Sequence, residues 1–521
     1  MTDSTIVPSP SENRPVLLAV CLAAAAMPLT FTGPAVALPV IGRALGGSPI
    51  ALNWVTNAFM LTFGSSLMAA GTLADTYGRK RVFLIGVAAF AVFSLGLAFA
   101  PDILWFDLMR AAQGVAAAAA FSGGMASLAQ EFDGPSRIRA FSIVGTSFGV
   151  GLAFGPIASG LIIDIAGWRG IFILVVGFAA LAFRLGARHM RESRDPDAAG
   201  LDWPGAISFT LALTLFTYGV LQAPESGWGH PLVIGLLATS VALFAAFAVV
   251  ESRVARPMLD LSLFRYPRFV GVQLLAAAPA YAFVVLLILL PVRFIGIDGM
   301  SEVAAGRLMI ALSAPLLVLP IAAGLLTRWF TPAIICGTGL VISAGGLFWL
   351  SHMPIGTATG VIALPMLVIG IGISLPWGLM DGLAVSVVPR ERAGMATGIF
   401  STTRVAGEGV ALAIVSAVLS ALTAAHLPGG GVAENTVSAA QRLVTGDLAG
   451  AASALPAAGR AALVQGYGSA FSLLVLGLTA VTVVTAVIIF LFLGRGTAAD
   501  DAEAVEATPG AGEGILCRSK A

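Results

Sequence analysis

Long apolar runs separated by short polar turns fill most of this chain between residues 16 and 493. A helix that crosses a bilayer needs roughly 20 predominantly apolar residues. Fourteen stretches meet that length, at about 16–38, 51–73, 82–100, 104–129, 139–163, 170–187, 204–222, 231–250, 269–292, 303–326, 332–351, 357–386, 394–421 and 468–493. Each is expected to be a membrane helix, so the expected fold class is an all-α membrane protein. Three kinds of segment interrupt the pattern. RHMRESRDPDAAGLDWPG (188–205) reads as a polar linker. Residues 422–467 hold Gly, Pro, His426, Glu434, Arg442, Asp447 and Arg460 and read as a long loop. The Ser/Pro-rich residues 1–15 and the Ala/Gly/acidic residues 494–521 read as disordered tails.

Composition agrees with the pattern. The chain is 58% hydrophobic and 11% charged, where soluble domains are about 45–50% apolar and about 25% charged. A net charge of +1 gives no electrostatic footprint for nucleic acid. Cys21, Cys336 and Cys517 lie far apart, with neither a disulfide framework nor metal-ligand spacing. The bulky Val20 argues against a lipoprotein site at Cys21. With Arg14 as its only base, the N-terminal segment is a poor signal peptide, so the first span is expected to be retained. No phosphate-cradling glycine loop is present, because the glycine clusters lie inside apolar runs rather than after a strand. The four histidines (His189, His230, His352 and His426) scatter over loops and span ends, which argues against a membrane enzyme. No cofactor and no metal is expected.

Loop charges give the orientation, since cytoplasmic loops are enriched in Lys and Arg. With the N-terminus inside, only Arg43, Arg169, Arg293, Arg307, Arg442 and Arg460 fall outside, and Arg110 and Arg404 lie within spans. All other bases of the 28 then face the cytoplasm, Arg137, Arg139, Arg256, Arg390, Arg392, Arg495, Arg518 and Lys520 among them. A miscounted helix would invert every later loop. Both termini are therefore expected in the cytoplasm of a multi-pass protein of the bacterial inner membrane, with residues 422–467 outside.

Between the second and third spans lies GTLADTYGRKR, residues 71–81. Gly71 and Gly78 are expected to let the chain turn tightly between two close helices. Asp75 sits among Arg79, Lys80 and Arg81, a cluster suited to latching helix ends and releasing them. The pattern G-x-L-A-D-x-x-G-R-(K/R)-(K/R) resembles the signature loop of the major facilitator superfamily, and it lies where that family has it. Fourteen spans with a basic inside linker after the sixth resemble the superfamily's drug:proton antiporter branch of fourteen helices. That resemblance implies a six-helix bundle at 16–187, a linker with two inserted helices at 188–268, and a second six-helix bundle at 269–493.

The motifs within spans extend the resemblance. R-A-A-Q-G at 110–114 is similar to the fourth-helix R-x-x-q-G, which implies a proton-coupling role for Arg110. An intramembrane Arg otherwise faces a structural partner or a watery cavity. G-V-G-L-A-F-G-P-I-A-S-G at 149–160 resembles the antiporter signature of exporters at Gly151, Gly155, Pro156 and Gly160. Ser142 and Ser159 stand where the fuller pattern has glycine, and both are small enough to keep the packing role. Trp168, Arg169 and Phe172 resemble the W-R-x-x-F that opens the sixth helix of the fourteen-helix branch.

One departure matters. Where close relatives carry L-D-x-T in the first span, residues 29–39 read L-T-F-T-G-P-A-V-A-L-P. Thr30 replaces the acid and Ala35 the Asn, while Thr32 and Pro39 persist. A replacement acid is expected in S-T-T-R-V-A-G-E-G (401–409), where Arg404 and Glu408 at i and i+4 share one helix face and can pair. A carboxylic acid deep in a span feels two opposed influences, lost solvation and a neighbouring Arg. That competition is what a group exchanging protons near neutral pH needs. Asp381 is the second candidate. Cavity-lining candidates are Asn53, Trp54, Asn57, Gln113, Gln273, Tyr281 and Trp377, with Phe59 at an aromatic family position and Pro376 beside Trp377.

The expected function is proton-coupled export of small amphipathic compounds by alternating access. The partners are a small-molecule substrate, protons and lipid, and a monomer is among the possible states. The closest rival is an exporter of one anionic metabolite, such as a carboxylate siderophore. The missing first-span acid favours that rival, while an importer and a non-transporting sensor fit less well.

Overall fold

The structure is a computed structural model that describes residues 14–132, 134–194, 202–254, 259, 261–386, 393–428 and 434–494. Residues 1–13 and 495–521 of the expected tails lie outside the described residues, while Arg14 and Pro15 already belong to the first helix; the side chains of Arg137, Arg139, Ser142, Arg256, Arg390, Arg392, Arg495, Arg518 and Lys520 also lie outside them. The long helices in chain order are α1 Arg14–Leu45, α2 Pro49–Tyr77, α3 Arg79–Ala98, α4 Ile103–Glu131, α5 Gly134–Ala166, α6 Arg169–His189, α7 Trp203–Ser226 and α8 Pro231–Arg253. They continue as α9 Pro267–Ile297 and α10 Glu302–Leu326, then α11 Pro332–Ser351, α12 Thr359–Ser386, α13 Ala393–His426 and α14 Gly459–Leu493.

Eleven of the described helices are long and apolar enough to cross a membrane, or twelve when the bent α5 counts as one span. The fourteen spans expected from the sequence exceed that number. The difference is α2 and α4, which hold Asn53, Asn57, Asp107, Arg110 and Gln113 and so fall short in apolarity despite their 29 residues each.

Polar turn residues set several boundaries. Ser48, Asp102, Ser301 and Thr331 cap α2, α4, α10 and α11, each accepting a backbone N–H of the first turn. Gly78 takes φ 113° in the one-residue turn from α2 to α3, where any side chain is strained. Prolines mark the irregular helices. In α5, Pro156 lacks the N–H that would bond Leu152, and the helix bends by 45° between Ile143–Leu152 and Phe154–Ala166. In α9, Pro279 precedes a π turn at Ala280–Val284, and α10 tightens to a 3-10 turn at Ala314–Leu317 around Pro315.

Helices α1–α6 pack on one another, and so do α9–α14. Between the two groups, α2 lies on α13, α5 on α10, and α1 on α9. Helices α7 and α8 pair, and α7 rests on both α2 and α13 at that seam. Small residues permit the closest crossings. A Cβ on Gly114 would press on Thr62 Oγ1 and on the backbone of Phe59 and Phe63 in α2. Gly114→Ala is therefore expected to destabilise the protein by about 1–3 kcal/mol, since backbone cannot move aside cheaply. A lowered unfolding midpoint in detergent checks this.

Two regions differ from the sequence reading. Residues 422–467 are mostly helical: Glu434–Val444 and Leu448–Ala454 are short helices, and α14 starts at Gly459 rather than near 468. The first of them has apolar residues on one face, which packs on α13 and α7; the region's mixed composition hid this. Arg293, expected in an outside loop, is instead 1% exposed at the end of α9. It pairs with Asp298 at 3.6 Å, donates to the Pro354 carbonyl at 3.2 Å and stacks 4.7 Å from the Phe471 ring. Asp298 in turn accepts from the Gly356 N–H at 3.0 Å.

Candidate functional site

Two buried arginines organise the charged positions inside the helices. Arg110 on α4 is fully buried. Its Nε donates to the Val55 carbonyl of α2 at 2.7 Å, and its Nη1 donates to Gln113 Oε1 at 2.6 Å. Gln113 passes the bond on, donating to Ser94 of α3 at 2.7 Å. Gln113, expected to line a cavity, is thus a core partner of Arg110: the two are one turn apart on the same buried face. The guanidinium also lies 4.5 Å from the Phe59 ring. Asp107, which the sequence reading passed over, precedes Arg110 by one turn. Its signal was available, as the one acid at i−3 to an intramembrane Arg.

The second arginine, Arg404, sits on α13. Its Nη1 meets Asp381 Oδ1 of α12 at 3.2 Å, and its guanidinium faces the rings of Phe148 on α5 and Phe400. The ion pair therefore runs between helices to Asp381, not along the helix to Glu408 as the spacing suggested. Glu408 is 2% exposed, and no ion pair within 4.0 Å closes on it from Arg404. Its neighbours meet the other helix group. Ala406 backbone lies against Gly64 of α2, and Gly409 lies against Met60 and Leu61. Those two residues put α13 against α2, while Glu408 lies about a quarter-turn or more around the helix from them, on the side that carries Arg404.

The glycines of 151–160 divide between two interfaces. Those at 151 and 155 face α1, where a Cβ would meet the Ala25 carbonyl and Thr32 Oγ1 respectively. At Gly160 a Cβ would lie 2.6 Å from the Glu302 carbonyl of α10. Gly306 of α10 returns the contact, 2.8 Å from the Pro156 carbonyl and 2.9 Å from Ile157 Cα. Trp168 and Phe172 form an edge-to-face cluster with Phe106 of α4 at 5.8 and 5.5 Å, and Arg169 covers Trp168.

The 71–81 loop ties helix ends together. Arg79 clasps Asp75 at 2.9 Å and donates to Gln130 of α4 at 2.9 Å. Glu192, beyond α6, accepts from the Lys80 N–H at 3.2 Å and pairs with Arg81 at 3.6 Å. Lys80 Nζ donates to the Ala187 carbonyl of α6 at 3.0 Å. Glu192 was not foreseen because it lies more than a hundred residues away in an apparent linker. Gly71 is not at the turn: it lies inside α2, and a Cβ there would meet nothing within 4 Å.

The remaining cavity candidates separate. Trp54 packs beside Tyr218 of α7 at 6.2 Å, because α7 covers that face of α2. Asn53 borders a small cleft with Pro49, Pro224 and Ser420. Asn57 donates to the Asn53 carbonyl at 2.9 Å, leaving its buried Oδ1 without a partner among the described atoms. Gln273 is buried with both amide atoms unpartnered. Tyr281 shares a hydrogen bond with Thr485 of α14 within the π turn of α9. Trp377 stands 6.2 Å from the Phe283 ring. Thr30, in place of an acid, donates to its own helix at the Met27 carbonyl, 2.6 Å. Cys21 and Cys336 are free and buried, and no metal-binding group of three or more ligands exists among the described residues.

The geometry can be set beside known proteins. A family model described as Major Facilitator Superfamily matches residues 18–412. The multidrug resistance protein Stp of Mycobacterium tuberculosis (strain CDC 1551 / Oshkosh) is 30% identical over 394 residues, 75% of this chain and 73% of that protein. The puromycin resistance protein pur8 of Streptomyces alboniger is 34% identical over 400 residues, 75% of this chain and 79% of that protein. Among solved structures, a bacterial homolog to the human lysosomal transporter Spinster, inward-facing and unoccupied, matches with TM-score 0.65 at 16% identity over 94% of this chain and 98% of that one. That likeness shows a shared fold. With the family model spanning well over half of its length, this multi-pass integral membrane protein belongs to the major facilitator superfamily.

Proposed function

We propose that the protein is a proton-coupled exporter of small amphipathic compounds, a drug or toxic-compound efflux transporter that works by alternating access. The observation that carries this reading is Glu408: a carboxylate 2% exposed, beside an arginine pledged to another acid, on the helix α13 whose Ala406 and Gly409 pack against α2. A buried acid on a helix that packs across two moving groups can make protonation favour one arrangement of the helices, since a ligand shifts an equilibrium by its differential affinity for the two states. Arg404 and Asp381 hold the field around it, and Arg110 does the same work in the other helix group. The relatives named for multidrug resistance and puromycin resistance support efflux as the direction of transport.

On this reading α2 and α4 also cross the membrane, for fourteen spans. Residues 16–187 and 269–493 are the two moving bundles, and 188–268 are the linker and inserted pair. Both termini are cytoplasmic, the membrane is the bacterial inner one, and the 71–81 loop is a gate. Contacts favour an inward-open arrangement. At the ends away from the basic loop, Gly160 and Gly306 seal α5 on α10. The unpartnered amides of Gln273 and Asn57 are groups that a substrate would satisfy. A second reading, export of one anionic metabolite, draws on α1, which holds no acid along its length.

Energised inverted membrane vesicles test the proposal. Accumulation of an amphipathic dye that collapses on adding a protonophore is expected. Accumulation driven by ATP yet indifferent to the protonophore would contradict it.

A further inference from the structure

Asp107 lies in the second turn of α4, three residues before Arg110. Among the described residues of α1–α6 it is the one acid with a carboxylate oxygen both buried and without a hydrogen-bond partner. Arg110 has the matching deficit: two of its nitrogens are bonded, but Nη2 is buried and has no partner. Opposite charges one helical turn apart, each with an unsatisfied atom, do not close an ion pair in this arrangement. Asp107 is half-buried with Oδ1 enclosed, while Arg110 is fully buried with Nη2 enclosed; leaving enclosed charged atoms unpaired is costly, which favours a second arrangement that pairs them.

A simpler role does not account for Asp107. The helix N-terminus is already capped by Asp102, which accepts from the Trp105 N–H at 2.8 Å. The favourable effect of the helix dipole falls off within the first turn. Other charges do not compete for it either. The helices packed against α4 are α1, α2, α3 and α5, and the start of α6 meets it at Phe106. Their described titratable groups stand at one end or the other: Arg14, Cys21, Asp75, Tyr77, Arg79, Lys80, Arg81, Arg184, Arg188 and His189 toward the end of α4 that carries Glu131, and Arg43, Asp164 and Arg169, the last stacked on Trp168, toward the end that carries Asp102. Arg110 is the one whose charge reaches Asp107 appreciably. The aromatic cluster of Phe106, Trp168 and Phe172 fixes the turn that carries it.

We infer that Asp107 is a second proton-binding carboxylate, in the α1–α6 group, with Arg110 as its positioning charge. In one access state the carboxylate pairs with Nη2 of Arg110. In the other it takes a proton from the facing water and becomes a neutral acid, and the proton leaves to the opposite side when the pair re-forms. This inference rests on the proton-coupled reading above and adds a site to it.

The test uses the full-length protein in proteoliposomes, with an amphipathic dye as probe and two readouts: dye–dye exchange without a pH gradient, and accumulation driven by a pH gradient. Asp107→Asn is expected to exchange dye like the wild type while losing driven accumulation roughly 100-fold, the scale of a lost acid–base group. Asp107→Glu is expected to restore it. Driven accumulation unchanged in Asp107→Asn would overturn the inference, and so would loss of both readouts without rescue by Glu, which marks a structural residue. A wild type that exchanges dye but ignores the gradient would instead overturn the proton-coupled reading itself.

Discussion

Glu408→Gln is expected to abolish pH-driven export while the protein folds and still binds its substrate. Gln keeps the shape and removes the ionisable group. The site is already desolvated at 2% exposure, and no ion pair is broken by the change, because Arg404 pairs with Asp381 at 3.2 Å. Driven uptake into inverted vesicles should fall to the level of vesicles without the protein, with an unchanged unfolding midpoint. Asp381→Asn should be milder, because that side chain is 58% exposed and water can stand in for it. Equal transport by Glu408→Gln and wild type would remove Glu408 from the mechanism.

Gly160→Leu is expected to have the second large effect. A Cβ there lies 2.6 Å from the Glu302 carbonyl and 3.2 Å from Val303 N, both backbone atoms of α10. The side chain must wedge α5 from α10 on the side that is closed here. Overpacking costs about 1–3 kcal/mol, enough to shift a two-state balance by roughly 5–150-fold. Transport should fall by a comparable factor, and the structure seen here should be depopulated. Gly177→Leu is the control, since a Cβ at Gly177 meets nothing within 4 Å. A Gly160→Leu protein that transports like the Gly177→Leu control would show that the α5–α10 crossing does not gate.

Much of this was legible along the chain because membrane helices announce themselves by local composition. Apolar runs gave most helix positions to within a few residues, though α1 runs on to Leu45 and α14 starts at Gly459, and Pro156 with its glycines marked the bent crossing of α5. What was hidden is what the third dimension adds. The i, i+4 spacing of Arg404 and Glu408 suggested a pair, but a guanidinium on a long stem reaches across to α12 as easily as along its own helix, and Asp381 was the better placed acid. Glu192 could not be matched to Arg81 from spacing, since only the fold brings α6 back beside the α2–α3 turn. Arg293 looked like a loop residue because Asp298 and the Pro354 carbonyl, which let it be buried, lie in other segments. Trp54 looked like cavity lining because nothing local shows that α7 covers it. The fourteen expected spans and the apolar helices part company where polar residues serve the interior: α2 and α4 dilute their apolarity with groups that face other helices rather than lipid.

The most direct test of proton-coupled efflux is substrate-induced proton flux in proteoliposomes carrying an internal pH-sensitive dye, with amphipathic drugs offered beside anionic metabolites. Proton movement opposite to the drug, absent in Glu408→Gln, is the predicted result. Drug movement across the same membranes with no change in internal pH would contradict it.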